Sequence, residues 1–205
     1  MTEAGIIGKI GLNSSHVGVT FNAIKARGVD FSKLPCHLSL RTVLNSTSRA
    51  EAVDKLMGAG VASACHITVA DAATGGLGLE CSAADIVQMP VSDEGVCTHS
   101  NHFVNAHADG VKGATMLPDS PLRLERIRSL IAQQGPGAKP SFEVIECFLK
   151  DEEGYPGSIC RAATEKRSIE TLFSICMDLR EGKARVKMRR PVDEEAENLE
   201  LRPIN

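Results

Sequence analysis

Aromatic residues are scarce in this 205-residue chain: they make up 3% of it, and tryptophan is absent. A chain with so few flat rings offers no stacking platforms for nucleic-acid bases or sugars. Basic residues are not in excess either, because 23 Lys and Arg stand against 26 Asp and Glu and the net charge is -3. Since nucleic-acid-binding domains usually carry a basic face, the composition predicts that nucleic acid is not a partner.

Long apolar runs and address signals are also lacking. No run approaches the roughly 20 apolar residues that a membrane-spanning helix needs, so no membrane partner is expected. The first residues lack the basic region of a secretory signal, and the last ones are not a Ser-Lys-Leu peroxisomal address. The seven cysteines include no Cys-x-x-Cys pair. Most of them lie in apolar runs, which predicts reduced, buried thiols in a cytoplasmic protein.

The order of predicted elements is typical of an α+β domain with antiparallel pairing. The predicted strands are Gly5–Leu12, Val17–Ile24, Ala64–Ala70, Gly78–Cys81, Asp85–Met89, Gly95–His99, Thr171–Leu179 and Ala184–Met188. The predicted helices are Cys36–Asn45, a helix from the Ser48 capping box to Gly58 or Gly60, one that Asp119 or Ser120 begins, and Ser141–Asp151. Without an internal repeat or a long linker, we expect one domain over residues 1–190 and an acidic tail over 191–205.

Two asparagines are candidate catalytic residues. Asn22 ends a strand-like run, where its amide can donate to a developing oxyanion, although a turn Asn that binds its own backbone gives the same pattern. Asn101 lies in the densest polar cluster, Cys97–His102, and its amide would converge with that of Asn22 on one carbonyl oxygen. The same cluster leaves two alternatives open. They are a Cys–His dyad of Cys97 and His99, and a zinc site that adds His102, although a closed zinc site needs four ligands.

Three arginines are further candidates. Arg123 and Arg126 lie one turn apart on a predicted helix, the ordinary pattern of a solvated charged face. Arg161 follows an apolar pair and is expected to reach inward, where its charge would lower the pKa of a nearby amine or thiol.

Five motifs occur in a fixed order along the chain. They are Gly5–Asn13, Phe21–Ala23, Thr98–His102, Leu117–Ser120 and Ser158–Arg161. In that order they resemble the acyl-coenzyme A:6-aminopenicillanic acid acyltransferase family, a branch of the N-terminal nucleophile hydrolases, from about residue 3 to Met188. The resemblance implies an αββα fold, with two antiparallel sheets between helix layers. It also implies acyl transfer from an amide or thioester through a Cys thioester, with no cofactor or metal.

The same resemblance implies roles for single residues. Asn101 matches the oxyanion-hole Asn of the family, and Asn22 matches a second Asn of the related bile-salt hydrolases. Ser82 occupies the position of a family Ser, and Arg123 lies near that of an Arg beside the nucleophile, although the local spacing is shifted. Together with Arg161, they are the candidate substrate-binding residues. The implied partners are a small-molecule acyl donor, either an acyl-coenzyme A or an N-acyl amine, and an amine acceptor. Contact with an upstream pro-segment is implied as well.

Departures from the family pattern concern the nucleophile. In the family it is a Cys freed by self-cleavage of a Gly-Cys bond, and no Cys of this sequence follows a Gly. The Trp-Asp-Phe motif with the family's catalytic Asp is also absent, and Lys166–Ile169 replaces a Lys-Ser-Arg-Gly segment. We therefore expect a truncated chain that lacks the N-terminal Cys segment and its strands and is inactive by itself. The alternatives are a non-enzymatic remnant and a small metal-binding domain.

Overall fold

The computed structural model describes residues 4, 8–114 and 117–202. The strands are β1 (Gly11–Leu12), β2 (Val17–Ala23), β3 (Cys65–Asp71), β4 (Gly75–Cys81), β5 (Ile86–Pro90), β6 (Phe173–Asp178), β7 (Lys183–Met188) and β8 (Asn198–Leu201). The helices are α1 (Cys36–Leu44), α2 (Arg49–Ala59), α3 (Ser120–Ala132) and α4 (Phe142–Leu149). They fall into two compact units, one holding residues up to Pro118 with Leu179–Gly182, the other Asp119–Asp178 with Lys183–Arg202.

The first unit contains an antiparallel sheet in which β1 to β5 follow one another in sequence order. Asp71, at the end of β3, fixes the turn into β4 because its carboxylate accepts from the Ala73 amide at 3.1 Å and from the Thr74 hydroxyl at 2.8 Å. Its other oxygen accepts from the Arg49 amide at 2.8 Å, at the start of α2. One buried carboxylate thus joins the sheet to a helix.

The core of this unit lies between one face of the sheet and the helices α1 and α2. Side chains alternate along a strand, and in β2, β3 and β4 the odd-numbered positions form that face. The buried core consists of Val17, Val19, Leu40, Val43, Ala52, Val53, Leu56, Val61, Cys65, Ile67, Val69, Leu79 and Cys81. The even-numbered positions therefore line the opposite face of the sheet.

The ends of α2 follow the predicted capping signals. The Ser48 hydroxyl accepts from the Glu51 amide at 3.2 Å, as an N-cap side chain does. The Glu51 carboxylate turns back to the Thr47 amide at 2.7 Å and not to that of Ser48. Gly60, with φ of 68°, ends the helix in a backbone conformation that favours glycine.

The second unit contains α3, α4 and a three-stranded antiparallel sheet in the order β6-β7-β8. The Ser141 hydroxyl caps α4 by accepting from the Val144 amide at 3.3 Å. Arg185 on β7 contacts three residues of this helix, since it pairs with Glu143 at 2.8 Å, approaches Glu146 at 3.6 Å and lies 4.5 Å above the centre of the Phe142 ring. The sheet and α4 are therefore tied together by an ion pair and a cation–π contact.

The predicted α+β class with two antiparallel sheets is confirmed, with four helices in the described part of the chain. The predicted strand Gly95–His99 is wrong, because residues 96–112 form an irregular loop, called the 96–112 loop below. The segment 191–205, expected as a tail, contains β8, which pairs with β7. Residues 5–7 of the first predicted strand lie outside the described residues. No described helix has the length and apolarity needed to cross a membrane.

Candidate active site

A row of polar side chains crosses the face of the first sheet that α1 and α2 do not cover. Asn22 on β2 is directly opposite His66 on β3, and His66 is opposite Glu80 on β4. Opposed residues of an antiparallel pair stand side by side on one face of the sheet. His66 is 1% exposed and Glu80 is fully buried, so the row lies inside the protein.

Glu80 binds the 96–112 loop to the sheet. Oε1 accepts from His99 Nε2 at 2.9 Å and from the Val104 amide at 2.7 Å. Oε2 accepts from the Asn105 amide at 2.9 Å and from its side-chain Nδ2 at 2.8 Å. Burial alone would raise the pKa of this carboxyl, but these hydrogen bonds outweigh it and lower the pKa to about 2. The carboxylate is therefore ionised, and it supplies the negative charge around which the loop folds.

His99 is the side-chain partner of Glu80 in the loop. Its Nε2 lies 2.9 Å from the Glu80 carboxylate, and its Nδ1 lies 2.7 Å from the Ser100 carbonyl oxygen. Two acceptors therefore hold the ring in one orientation. No group of three His, Cys, Asp or Glu side chains is placed to hold a metal ion among the described residues, which include Cys97, His99 and His102.

The ring of His66 stacks on that of His99. The two centres are 3.8 Å apart and the planes differ by 3°. Burial and the charge of His99 lower the pKa of His66 to about 3, against a smaller opposite effect of Glu80. His66 is therefore neutral, and its Nδ1 lies 3.3 Å from Oδ1 of Asn22.

Asn101 lies in the 96–112 loop and reaches the end of β2. Its Nδ2 donates to the carbonyl oxygen of Ala23 at 3.0 Å. Ala23 follows Asn22 in the chain, so this hydrogen bond holds Asn101 against the end of the strand that carries Asn22. Their predicted role as paired oxyanion donors remains a prediction.

Ser82 directly follows β4 and is 2% exposed. Its hydroxyl donates to the Asp85 carboxylate and accepts from the Asp85 amide at 3.0 Å, closing the turn into β5. Asp85 in turn binds His107 Nδ1 at 2.7 Å and the Ala108 amide at 2.7 Å. These contacts give Ser82 a structural function in the turn, and its substrate-binding role stays a prediction.

Arg123 and Arg161 belong to the second unit and share one carboxylate. Arg123 Nε donates to Asp119 at 2.9 Å, and the buried Arg161 donates to the same Asp119 oxygen. Arg167 approaches the other oxygen at 3.6 Å. Burial lowers the pKa of Arg161, as does the charge of Arg167. Arg161 thus points inward as expected, towards a carboxylate. Arg126 pairs with Asp151 at 2.6 Å.

The environment of several cysteines opposes thiolate formation. The hydrogen bond with Cys65, together with burial, raises the pKa of the Cys36 thiol. Cys65 keeps a raised pKa because its contact with Cys81 and burial outweigh the opposite effect of Cys36. Burial also raises the pKa of Cys160, and that of Cys176 to about 11. Since the thiolate is the nucleophilic form, none of these four thiols with a raised pKa is an activated nucleophile.

Alkylation of the folded protein with iodoacetamide at neutral pH should distinguish its cysteines. We expect Cys147, which is exposed, to be modified first. Cys65, Cys160 and Cys176 should react only after denaturation, because burial suppresses access and their raised pKa values suppress thiolate formation. Cys36 is only half-buried and should react slowly because its pKa is raised. Peptide mass spectrometry of quenched samples measures the order. Labelling of Cys65 in the native protein as fast as that of Cys147 would contradict the buried arrangement.

Sequence patterns did not point to His66 or Glu80 as site residues. Glu80 is the single polar residue of the segment Leu77–Cys81, and His66 shares the segment Cys65–Ala70 with Thr68 as its only other polar residue. An ionisable residue is rarely buried in such a strand unless it has a partner. The presence of His66 and Glu80 in these strands could therefore have indicated a buried polar site. The alternation within each strand would have put both residues on the face opposite the core.

Two solved structures have a fold similar to that of this chain. They are an Arg-to-Leu variant and a Cys-to-Ala mutant of conjugated bile acid hydrolase from Clostridium perfringens. The TM-scores are 0.58 and 0.57, at 13% sequence identity in both cases. The alignments cover 92% and 93% of this chain and 71% of each solved chain. The chain thus has the α+β fold of this N-terminal nucleophile hydrolase.

The sequence comparison gives the family. The pattern of the family described as "Acyl-coenzyme A:6-aminopenicillanic acid acyl-transferase" matches residues 2–193. The "Acyl-coenzyme A:6-aminopenicillanic-acid-acyltransferase 40 kDa form" of Emericella nidulans is 37% identical over 192 residues. That alignment covers 93% of this chain and 53% of the relative, so the chain spans about half of the relative's length. The chain belongs to the acyl-coenzyme A:6-aminopenicillanic acid acyltransferase family, and the resemblance found in the sequence is confirmed.

Proposed function

We propose that this chain forms the oxyanion side of a site for acyl transfer or amide hydrolysis through a Cys thioester. One observation carries the proposal: Asn101 donates at 3.0 Å to the carbonyl oxygen of Ala23, next to Asn22. Two carboxamides are thereby held at the end of one strand, beside a buried charged network that keeps the loop in place. This arrangement suits a pair of fixed donors for one oxygen atom.

The proposed reaction has two steps. The sulfur of the attacking Cys forms a bond to the acyl carbon, and the carbonyl oxygen becomes an oxyanion that the amides of Asn22 and Asn101 stabilise. Collapse of this intermediate breaks the bond to the leaving amine or thiol, which departs with a proton. An amine acceptor or water then attacks the thioester, and the Cys sulfur leaves with a proton restored. Donors fixed in advance are effective because they need no reorganisation when the charge develops.

The attacking thiol is proposed to come from outside these 205 residues. In the family the nucleophile follows a Gly, and no Cys here does so. Cys36, Cys65, Cys160 and Cys176 have raised pKa values, which also makes them poor candidates. The relative's chain extends well beyond the matched half, leaving room for such a segment.

The substrate class is proposed from the name of the relative, which contains an acyl-coenzyme A donor and a 6-aminopenicillanic acid acceptor. We propose that this chain takes an acyl thioester or N-acyl amine as donor and a small amine as acceptor. Ser82, Arg123 and Arg161 are proposed to contribute to substrate binding. Arg123 and Arg161 both donate to Asp119, so a substrate carboxylate would have to share or replace that partner.

Co-expression tests this function. The 205 residues would be produced with the part of the Emericella nidulans relative that the match does not cover, and incubated with acyl-coenzyme A thioesters and 6-aminopenicillanic acid. We expect the acylated amine as product and a transient acyl thioester on a Cys of the added segment, both detected by mass spectrometry. The added segment without this chain is the control. A stable complex without product would favour the non-enzymatic alternative, and acylation of one of the seven cysteines of this chain would contradict the proposal.

A further inference from the structure

The side-chain amide of Asn22 has two orientations that differ by a half turn. In one orientation Nδ2 is available to donate to an oxyanion, and in the other the carbonyl oxygen Oδ1 takes its place. Only the first orientation stabilises negative charge, so whatever holds the amide in place affects the proposed chemistry directly. His66 is opposite Asn22 across the β2–β3 pair, and its Nδ1 lies 3.3 Å from Asn22 Oδ1.

The charge state of His66 determines which atom carries the proton. A neutral imidazole has one N–H group, and a carbonyl oxygen such as Asn22 Oδ1 can only accept. Nδ1 therefore carries the proton, and Nε2 carries the lone pair. Among the described residues Nε2 has no hydrogen-bond partner, which fits a nitrogen without a proton. It points at Gly78, where a Cβ atom would lie 2.7 Å from it.

The ring of His66 is itself held in position. His99 stacks on it at 3.8 Å, and His99 is bound at both nitrogens, by Glu80 and by the Ser100 carbonyl oxygen. The missing side chain of Gly78 leaves the space that the Nε2 edge occupies. A half turn of the His66 ring would move the N–H away from Asn22 and break its hydrogen bond. The buried hydrogen-bonded pair of Glu80 and His99 is therefore connected to Asn22 through the His66 ring.

We propose that His66 is a positioning residue. By donating from Nδ1 to Oδ1, it holds the Asn22 carboxamide in the orientation in which Nδ2 donates to the oxyanion. This inference rests on the proposed function, because it assigns His66 to the same site. His66 does not touch the reacting atoms. Its effect should therefore appear in kcat more than in KM, since the ground-state carbonyl needs the donor less than the transition state does.

Two substitutions separate positioning from simple packing. His66→Asn keeps a donor nitrogen near the position of Nδ1 but removes the stacked ring. His66→Phe keeps a stacked ring but removes the donor. In the active co-expressed assembly we expect His66→Phe to lower kcat about tenfold, the usual effect of one neutral hydrogen bond, with KM nearly unchanged. His66→Asn should restore most of kcat, even if its thermal stability is the lower of the two. Activity of the Phe variant combined with inactivity of a folded Asn variant would overturn the inference.

A nitrogen NMR measurement on the 205-residue chain tests the tautomer without any assay of activity. Long-range proton–nitrogen spectra should show His66 Nδ1 as the protonated nitrogen and Nε2 as the bare one. This pattern should persist well below neutral pH, because the pKa of His66 is about 3. A proton on Nε2 would contradict the positioning role and leave the proposed function in place. An inactive wild-type assembly together with the expected tautomer would contradict the proposed function.

Discussion

Replacing Glu80 with alanine is expected to lower the free energy of unfolding by about 3–5 kcal/mol, the usual loss when one partner of a buried ion pair is removed. The carboxylate is fully buried and accepts hydrogen bonds from His99, the Val104 amide and both nitrogens of Asn105. Without it, the His99 ring nitrogen and these N–H donors would lose their acceptor in a buried position. Urea denaturation followed by circular dichroism measures the loss. A loss of this size is a large share of the total free energy of unfolding of a domain, which is roughly 5–15 kcal/mol.

The effect of Glu80 on stability depends on pH in a defined direction. Folding lowers its pKa from an ordinary value of 4.5 to about 2, so the folded state holds on to its charge. The resulting stabilisation is fully present above about pH 4.5 and is lost as the pH falls towards 2. The difference in stability between wild type and Glu80→Gln should therefore narrow over that interval, because glutamine is neutral at every pH.

Glu170→Ala is the matched control for Glu80, since Glu170 is exposed and its removal should change stability by no more than about 0.5 kcal/mol. Glu80→Gln keeps the shape of the side chain but places an NH₂ group opposite N–H donors. Its free energy of unfolding should therefore lie between those of wild type and Glu80→Ala. If Glu80→Ala unfolds at the same urea concentration as Glu170→Ala, the Glu80 carboxylate does not hold the 96–112 loop on the sheet.

Replacing Asn101 with alanine in the active co-expressed assembly is expected to lower kcat by roughly 10²–10³-fold, the usual cost of one oxyanion donor. Asn22→Ala should behave similarly, because both amides are proposed to serve the same oxygen. KM should change less, since the donors act mainly on the tetrahedral intermediate. Steady-state kinetics with an acyl-coenzyme A donor and a small amine acceptor separate the two parameters.

The stability of the Asn101→Ala variant must be measured beside its activity. The substitution removes the hydrogen bond to Ala23, which should cost only about 1 kcal/mol and leave the protein folded. Asn45→Ala, at an exposed position after α1, is the control and should retain full activity. If Asn101→Ala is folded and nearly as active as Asn45→Ala, the oxyanion role of Asn101 is wrong.

Local patterns predicted most of the secondary structure for identifiable reasons. The capping signal at Ser48 and the glycine at position 60 bound α2, because both act on neighbouring backbone groups. Alternating β-branched and polar residues predicted β2 and β3. The same reasoning failed at Gly95–His99, where the local sequence is compatible both with a strand and with an extended loop. There, the Glu80 carboxylate forms hydrogen bonds with the His99 ring and with the backbone amides of Val104 and Asn105, and these bonds hold the segment as a loop.

Ordered motifs and local periodicity are properties of neighbouring residues, so the amino-acid sequence was enough to predict the family, the α+β class and Asn22 and Asn101 as candidate residues. Which side chains lie next to each other depends on the folded chain. Asn22, His66 and Glu80 are far apart in the chain, and the register of three strands makes them adjacent. The neutral state of His66 followed only from its burial and from the rings and side chains around it. Register and burial are set by the packing of the whole sheet, which no single segment of sequence specifies.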